Sequence, residues 1–395
     1  MSAAAPTLRE LRLPDCRPLH VLTLTPFFPT PQDDARGCFV AEPLAWTSQR
    51  NIRNQVLAVQ PFYRSAPPST NGKRFFSLPG NIGLATAGLF LFSRLLGHIR
   101  RVHSAQPIEL IHAHSALPCG HAAALLNQVL GVPFVVTVHG LDAYSTEQVQ
   151  GAIGRQCKRI SQFVYRSARQ VICVSAGVRE HVLAGAAGPV KTRVIYNGVD
   201  SQTFAPHEPR ASDDGSQTIL SVGNLIPIKG HELVLRALAT LSKDRPGLRC
   251  EIVGDGAERV RLAELALRLG LAARVTFAGR RSRAQVAQSM RDCQIFALPS
   301  RYEGLGCVYL EAMSSGKPVI ACRGQGIEEI IRHGVNGWLI DPGDQAGLVN
   351  ALSSLLDDGK VRHRIGVAAR QTVVNGLTLA HQAERLCQSY RESAG

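Results

Sequence analysis

Glu303 and Glu311 stand eight residues apart in a stretch that also holds Gly304, Leu305, Gly306 and Cys307. The stretch follows an apolar, strand-like run at 295–298 and then Pro299. Gly304 and Gly306 allow a tight turn and a close backbone approach, and a helical pattern begins at about Cys307. A helix N-terminus just after a glycine turn offers free N–H groups and the positive end of a dipole, which suits an anion. Even fully helical, eight residues rise about 12 Å. That is wider than the roughly 5–9.5 Å between the paired carboxylates of a glycoside hydrolase. The spacing suits the two ends of an extended ligand with its anionic group between them, and a sugar–diphosphate–ribose molecule has that form. The competing reading makes Glu303 a helix cap and Glu311 a surface residue.

A second stretch tips the balance. Gly223, Asn224, Lys229 and Gly230 lie between a strand-like run at 218–222 and a helical one at 231–241. A lysine in a glycine-bounded loop at the carboxyl end of a strand is a point charge well placed for a phosphate. An ordinary solvated lysine would leave the bracketing glycines unexplained.

Other candidates carry less. His112 and His114 alternate at the end of a strand and face the same way. A metal needs at least one more ligand, and none follows at a suitable spacing, so a polar cleft lining or a structural role is the better reading. No D-x-D sequence offers a metal clamp for a diphosphate, and no metal or cofactor is expected. Gly254-x-Gly256 lacks the third glycine of a dinucleotide fingerprint, with Arg259 where one would be sought. That argues against a nicotinamide dehydrogenase.

These residues need a scaffold. Apolar runs at 19–25, 55–59, 108–112, 134–138, 171–174 and 193–196 alternate with helical stretches such as 39–49, 84–102, 120–130 and 156–167. A segment rich in Pro, Asp and Ser at 200–217 reads as a linker. The alternation restarts at 218–222, 249–253, 275–277, 295–298, 318–321 and 338–340, with helices at 346–356, 361–374 and 379–391. Two such runs predict an α/β chain of two doubly wound, Rossmann-like domains facing across a cleft. The expected boundaries are 1–205, 206–375 and a final helix at 376–395 packing back on the first domain.

The chain has 395 residues, 45% hydrophobic and 19% charged, which excludes a largely disordered or collagenous protein. Ten cysteines occur singly and mostly in apolar runs, which predicts buried thiols in a reducing cytoplasm. The charged first 18 residues have no apolar core, so no secretory signal is expected. The apolar block at 82–92 is too short to span a membrane. Followed by Arg100 and Arg101, the helical stretch 84–96 either packs on its sheet, the commoner arrangement, or lies in an anionic membrane surface as a peripheral contact. Residues 1–205 hold 20 Lys+Arg against 10 Asp+Glu, a net +10 of the chain's +14. On charge alone this suits lipid headgroups, nucleic acid or phosphorylated substrates, or equally an ordinary solvated basic surface; no nucleic-acid partner is expected.

The lysine loop paired with Glu303 and Glu311 resembles the retaining glycosyltransferases of family 4, which have the GT-B fold. Pro26 to Pro29 with Gly37 to Val40, Val136 to Asp142, Ile195 to Asp200, Gly254 to Gly256 and Gly316 to Ile320 look like further family segments. Their order over more than 300 residues is what makes the resemblance specific. It implies that Glu311 binds the ribose hydroxyls of a nucleotide sugar and Glu303 the hydroxyls of the transferred sugar. It implies further that Lys229 neutralises the diphosphate, aided by N–H groups near Gly306 and by the Gly37 loop, and that His139 lies near the anomeric centre. Asn224 departs from the pattern, since many members have arginine there. Lys229 then acts alone, or Arg301 or Arg323 compensates. The resemblance implies a metal-independent hexosyltransferase acting on a saccharide or lipid-linked saccharide, in polysaccharide or glycolipid synthesis. The alternatives are a sugar-nucleotide epimerase, a glycoside phosphorylase, or a non-catalytic membrane-associated subunit.

Overall fold

The computed structural model describes residues 17–31, 33–64, 72–140, 142, 149, 151–186, 188–206 and 216–395. The amino-terminal residues 1–16 and the linker residues 207–215 lie outside them. Two parallel sheets organise the chain. The first has the order β3-β2-β1-β4-β5-β6-β7. It comprises β1 Leu19–Thr25, β2 Ile52–Pro61, β3 Lys73–Phe75, β4 Leu110–His114, β5 Phe134–Val138, β6 Gln170–Cys173 and β7 Thr192–Val194. The second has the order β10-β9-β8-β11-β12-β13. Its strands are β8 Gln217–Val222, β9 Leu248–Val253, β10 Val275–Gly279, β11 Ile295–Ala297, β12 Val319–Cys322 and β13 Trp338–Ile340. The strand order reverses beside β1 and beside β8, the two places where loops diverge to leave a crevice.

Burial explains why most strands are readable as apolar runs. Every residue of β4 and β5 is buried, as expected for central parallel strands covered on both faces. β3 escapes that reading because its three residues, Lys73, Arg74 and Phe75, bury only the last. β4 begins two residues later than the apolar run suggests. A shift of two preserves facing, and the rings of His112 and His114 lie 4.2 Å apart on one face.

The helix Leu84–Ala105 turns Ala87, Leu91, Leu95 and Ile99 to the core at the spacing of an amphipathic helix. In the second lobe Val234, Leu235 and Leu238 of the helix His231–Leu241 do the same.

The chain then returns to the first lobe. Val199 exchanges backbone hydrogen bonds with Leu377 and Leu379, and the Thr378 hydroxyl caps the helix Leu379–Ala394. Leu386, Cys387 and Tyr390 of that helix pack against Val21, Ile52, Leu110, Val135, Ile172 and Ile195, one side of the first sheet. The Tyr390 hydroxyl lies 2.7 Å from His112 Nδ1, with both groups buried.

Tyr390→Phe strands that imidazole nitrogen without a partner. It should cost about 1–3 kcal/mol and lower the melting temperature. An unchanged melting curve would show that the contact contributes nothing.

Candidate functional site

The residues singled out in the sequence sit on loops that leave the carboxyl ends of strands. His139 follows β5, and Gly223 and Asn224 follow β8. Lys229 closes the short 3-10 turn Pro227–Lys229, whose backbone is tied to the next loop by Arg301 N–H donating to Ile228 O at 2.8 Å. Glu303 lies between β11 and the helix Cys307–Ser314. Gly306 starts that helix at φ +80°, a conformation other residues rarely adopt. The helix is anchored by Tyr309, whose hydroxyl donates to Leu298 O at 2.7 Å.

A cleft of about 1070 Å³ lies where the two lobes face each other. His139, Gly223, Asn224, Lys229, Glu303, Gly304, Leu305, Gly306, Cys307 and Glu311 all line it. Gly37 does not, although it caps the helix Cys38–Ser48 and its neighbours Ala35 and Cys38 reach the cleft wall.

Charges in the cleft are paired. Lys229 Nζ donates to Glu303 Oε1 at 2.6 Å. Arg283, at the start of the helix Arg283–Asp292, bonds Glu311 through Nη1 and Glu42 of the first lobe through Nε at 2.9 Å. Burial disfavours the Arg283 charge, but the two carboxylates outweigh it and raise its pKa. Burial also raises Glu42, against the pull of Arg283. The Cys307 thiol is pushed up to about 12, chiefly by burial and by Glu311, so it stays protonated and is a poor nucleophile.

Two features hold the lobes in register. A Cβ on Gly304 would lie 2.1 Å from His139 O, and one on Gly140 only 2.7 Å from Gly304 Cα. No side chain fits at either position. Around this backbone contact, Arg280 pairs with Asp33 at 2.7 Å and Arg283 N–H donates to Asp34. On the other flank, Glu329 accepts from Ala176 N–H, Gly177 N–H and the Tyr196 hydroxyl, placing a carboxylate at a helix N-terminus.

Compared with known proteins, residues 48–203 match the family Glycosyltransferase Family 4 and residues 204–372 match Glycosyl transferases group 1. A glycogen synthase of Mycobacterium tuberculosis is 31% identical over 287 residues, 71% of this chain and 68% of that protein. This chain is a family 4 glycosyltransferase. Its fold is shared with a sucrose-phosphate synthase from Thermosynechococcus elongatus, at a TM-score of 0.79 and 21% identity over 94% of this chain and 98% of the other. It is shared equally with Anabaena HepE in complex with UDP-glucose, at a TM-score of 0.74 and 24% identity over 94% and 99%.

The glycosyltransferase corrects one expectation at Asn224. Arg301 and Arg323 were the candidates to supply the missing charge, yet neither lines the cleft. Arg323 lies instead near Glu328 and Asp341, at 3.7 and 3.6 Å. Among the described residues, the second cation lining the cleft is Arg283, whose only local signal was its place one residue after the helix-capping Ser282. Asn197 was also passed over as a site residue. It lines the cleft and donates to Cys307 Sγ at 3.2 Å.

His112 and His114 both have side-chain partners. His112 is held by Tyr390 and by Thr137 Oγ1 at 2.7 Å, and His114 Nδ1 meets His139 Nε2 at 2.9 Å. Among the described residues no cluster of three or more His, Cys, Asp or Glu could hold a metal ion. Burial holds His112 and His139 down at about 3, and His114 well below its usual range.

As pH falls below the ordinary histidine value of 6.5, the unfolded chain therefore takes up protons that the folded chain refuses. The stability these groups contribute is complete above about 6.5 and is lost towards 3, at about 1.4 kcal/mol per pH unit for each histidine. His112→Gln should make the fall in stability between pH 6.5 and 5 shallower by about that amount, read from urea unfolding. A slope equal to the parent's would contradict the buried neutral imidazole.

Proposed function

We propose that this enzyme moves a hexose-type sugar from a nucleoside-diphosphate sugar to a hydroxyl of a saccharide, free or lipid-linked, with retention at the anomeric carbon. The observation that carries the reading is the convergence of Lys229, Glu303 and Glu311 on one cleft, around the start of the helix Cys307–Ser314. An extended ligand laid across that helix N-terminus puts its diphosphate on free N–H groups and beside Lys229. Glu311 and Glu303 then accept hydrogen bonds from the hydroxylated groups at its two ends. The fold's occurrence in HepE bound to UDP-glucose supports a donor of this class. Glycogen synthase, among the relatives, supports a saccharide acceptor and a place in polysaccharide or glycolipid assembly.

The donor sits in the second lobe and the acceptor in the first. The bond from the anomeric carbon to the diphosphate oxygen breaks as the acceptor oxygen bonds to the same face. The acceptor proton passes to the leaving diphosphate. Among the described residues, the first lobe lines the cleft with Ala35, Cys38, Phe39, His139 and Asn197, and its Glu42 carboxylate is taken up by Arg283. This composition favours same-face attack over a covalent glycosyl–enzyme intermediate. The side chains then accelerate the reaction by positioning and by stabilising charge on the leaving group. Lys229 shares its charge with Glu303 at rest and with the diphosphate as that group departs.

Glu311→Ala should weaken donor binding by about 1.5–3 kcal/mol, roughly 10- to 150-fold in Kd. Lys229→Ala should lower kcat more than it raises KM, because leaving-group charge grows in the transition state. A panel of nucleoside-diphosphate sugars screened by thermal stabilisation identifies the donor for both assays. Unaltered sugar transfer in both variants would overturn the assignment. Release of an epimerised sugar without acceptor would move it to an epimerase.

A further inference from the structure

An aromatic shelf projects from the first lobe away from the cleft lining. Phe62 and Tyr63 follow the carboxyl end of β2, and Phe76 follows that of β3. The Phe62 and Phe76 rings stack at 5.5 Å with 6° between planes, and Phe76 meets Phe90 of the helix Leu84–Ala105 edge-on at 4.9 Å. These rings touch each other yet stay open to solvent. Phe62, Phe76 and Leu89 are each 50% exposed and Ile82 is 64% exposed. A contiguous exposed apolar surface of this kind marks a binding face.

Its surroundings define what it binds. From residue 43 to residue 108 the chain holds eight Lys and Arg and no Asp or Glu. Arg94 is one helical turn beyond Phe90 on the exposed face, with Arg101 two turns further, and Arg74 immediately precedes Phe75 and Phe76. Burial, together with Lys73, Arg101 and Arg94, lowers the pKa of His98, so these cations share one neighbourhood. Among the described residues Lys73, Arg74, Arg94 and Arg101 form no ion pair with a carboxylate.

We infer that this face docks on a lipid bilayer carrying anionic headgroups, with the aromatic rings seated at the interface and the arginines on the phosphates. The helix does not itself enter the bilayer along its length, since Leu91, Leu95 and Ile99 are locked in the core. Its exposed face carries Leu89, Phe90, Arg94, Arg100 and Arg101. No described helix is long and apolar enough to cross a membrane. The shelf leaves the same carboxyl edge of the sheet as His139, so a docked enzyme has its cleft beside the surface. An acceptor saccharide carried on a lipid is then within reach. That choice of acceptor rests on the transferase reading, whereas the docking does not.

The test is co-sedimentation of the full chain with vesicles of phosphatidylcholine alone or mixed with phosphatidylglycerol, without sugar nucleotide. Binding to the mixed vesicles only, weakened by salt, is expected. Lys73→Gln with Arg94→Gln should lower the partition coefficient about thirtyfold. Phe76→Ser with Phe90→Ser should also release the protein. Both pairs should retain thermal stabilisation by donor, which separates docking from misfolding and from the donor assignment. No sedimentation of the parent protein, or equal sedimentation of both double variants and the parent, would overturn the inference. Capture by an acidic protein, with no vesicle binding, would do the same.

Discussion

Among the described residues, the cations that line the cleft, Lys229 and Arg283, are each held by a carboxylate, and this pairing constrains the rest of the site. The side chains of Glu303 and Glu311 are only 10% and 7% exposed, and each has a cation in direct contact. Lys229 serves the first and Arg283 the second. Arg283 is balanced in turn by Glu42, so the second lobe's binding residue is fixed through the first. An arriving diphosphate need not bring cations with it. It has only to share those already present, and the carboxylates it displaces can turn to hydroxyl groups.

This arrangement depends on how closely the lobes approach. Gly304 against His139 and Gly140 leaves no room for a side chain, so the loop bearing Glu303 rests directly on the backbone that follows β5. Support for that backbone comes from the far end of the chain. Tyr390 holds His112, His112 holds Thr137 on β5, and His139 stands two residues further on. The final helix thus contributes to the position of a cleft residue that it does not itself contact through a hydrogen bond.

Legibility in the sequence follows the range of each interaction. Lys229, Glu303 and Glu311 could be read because their signals are local: a lysine between glycines and two carboxylates flanking a helix start. The parallel sheets could be read because buried central strands are continuous apolar runs. Arg283 could not be, since its partners lie 28 residues away at Glu311 and 241 away at Glu42, and the helix cap beside it says nothing of a ligand. Asn224 showed that a charge was missing but not where its replacement would come from. The aromatic shelf was hidden for a similar reason. Its members come from two strand ends and a helix, and β3 is too short and polar to announce itself, so the helix alone drew notice.

The most direct measurement is a crystal structure with the nucleoside-diphosphate sugar that best stabilises the protein. A diphosphate oxygen should lie within about 3 Å of Lys229 Nζ, with the Glu311 carboxylate on the ribose hydroxyls and Glu303 on the sugar. A nucleotide seated elsewhere, or one leaving Glu303 and Glu311 bound only to Lys229 and Arg283, would contradict this placement.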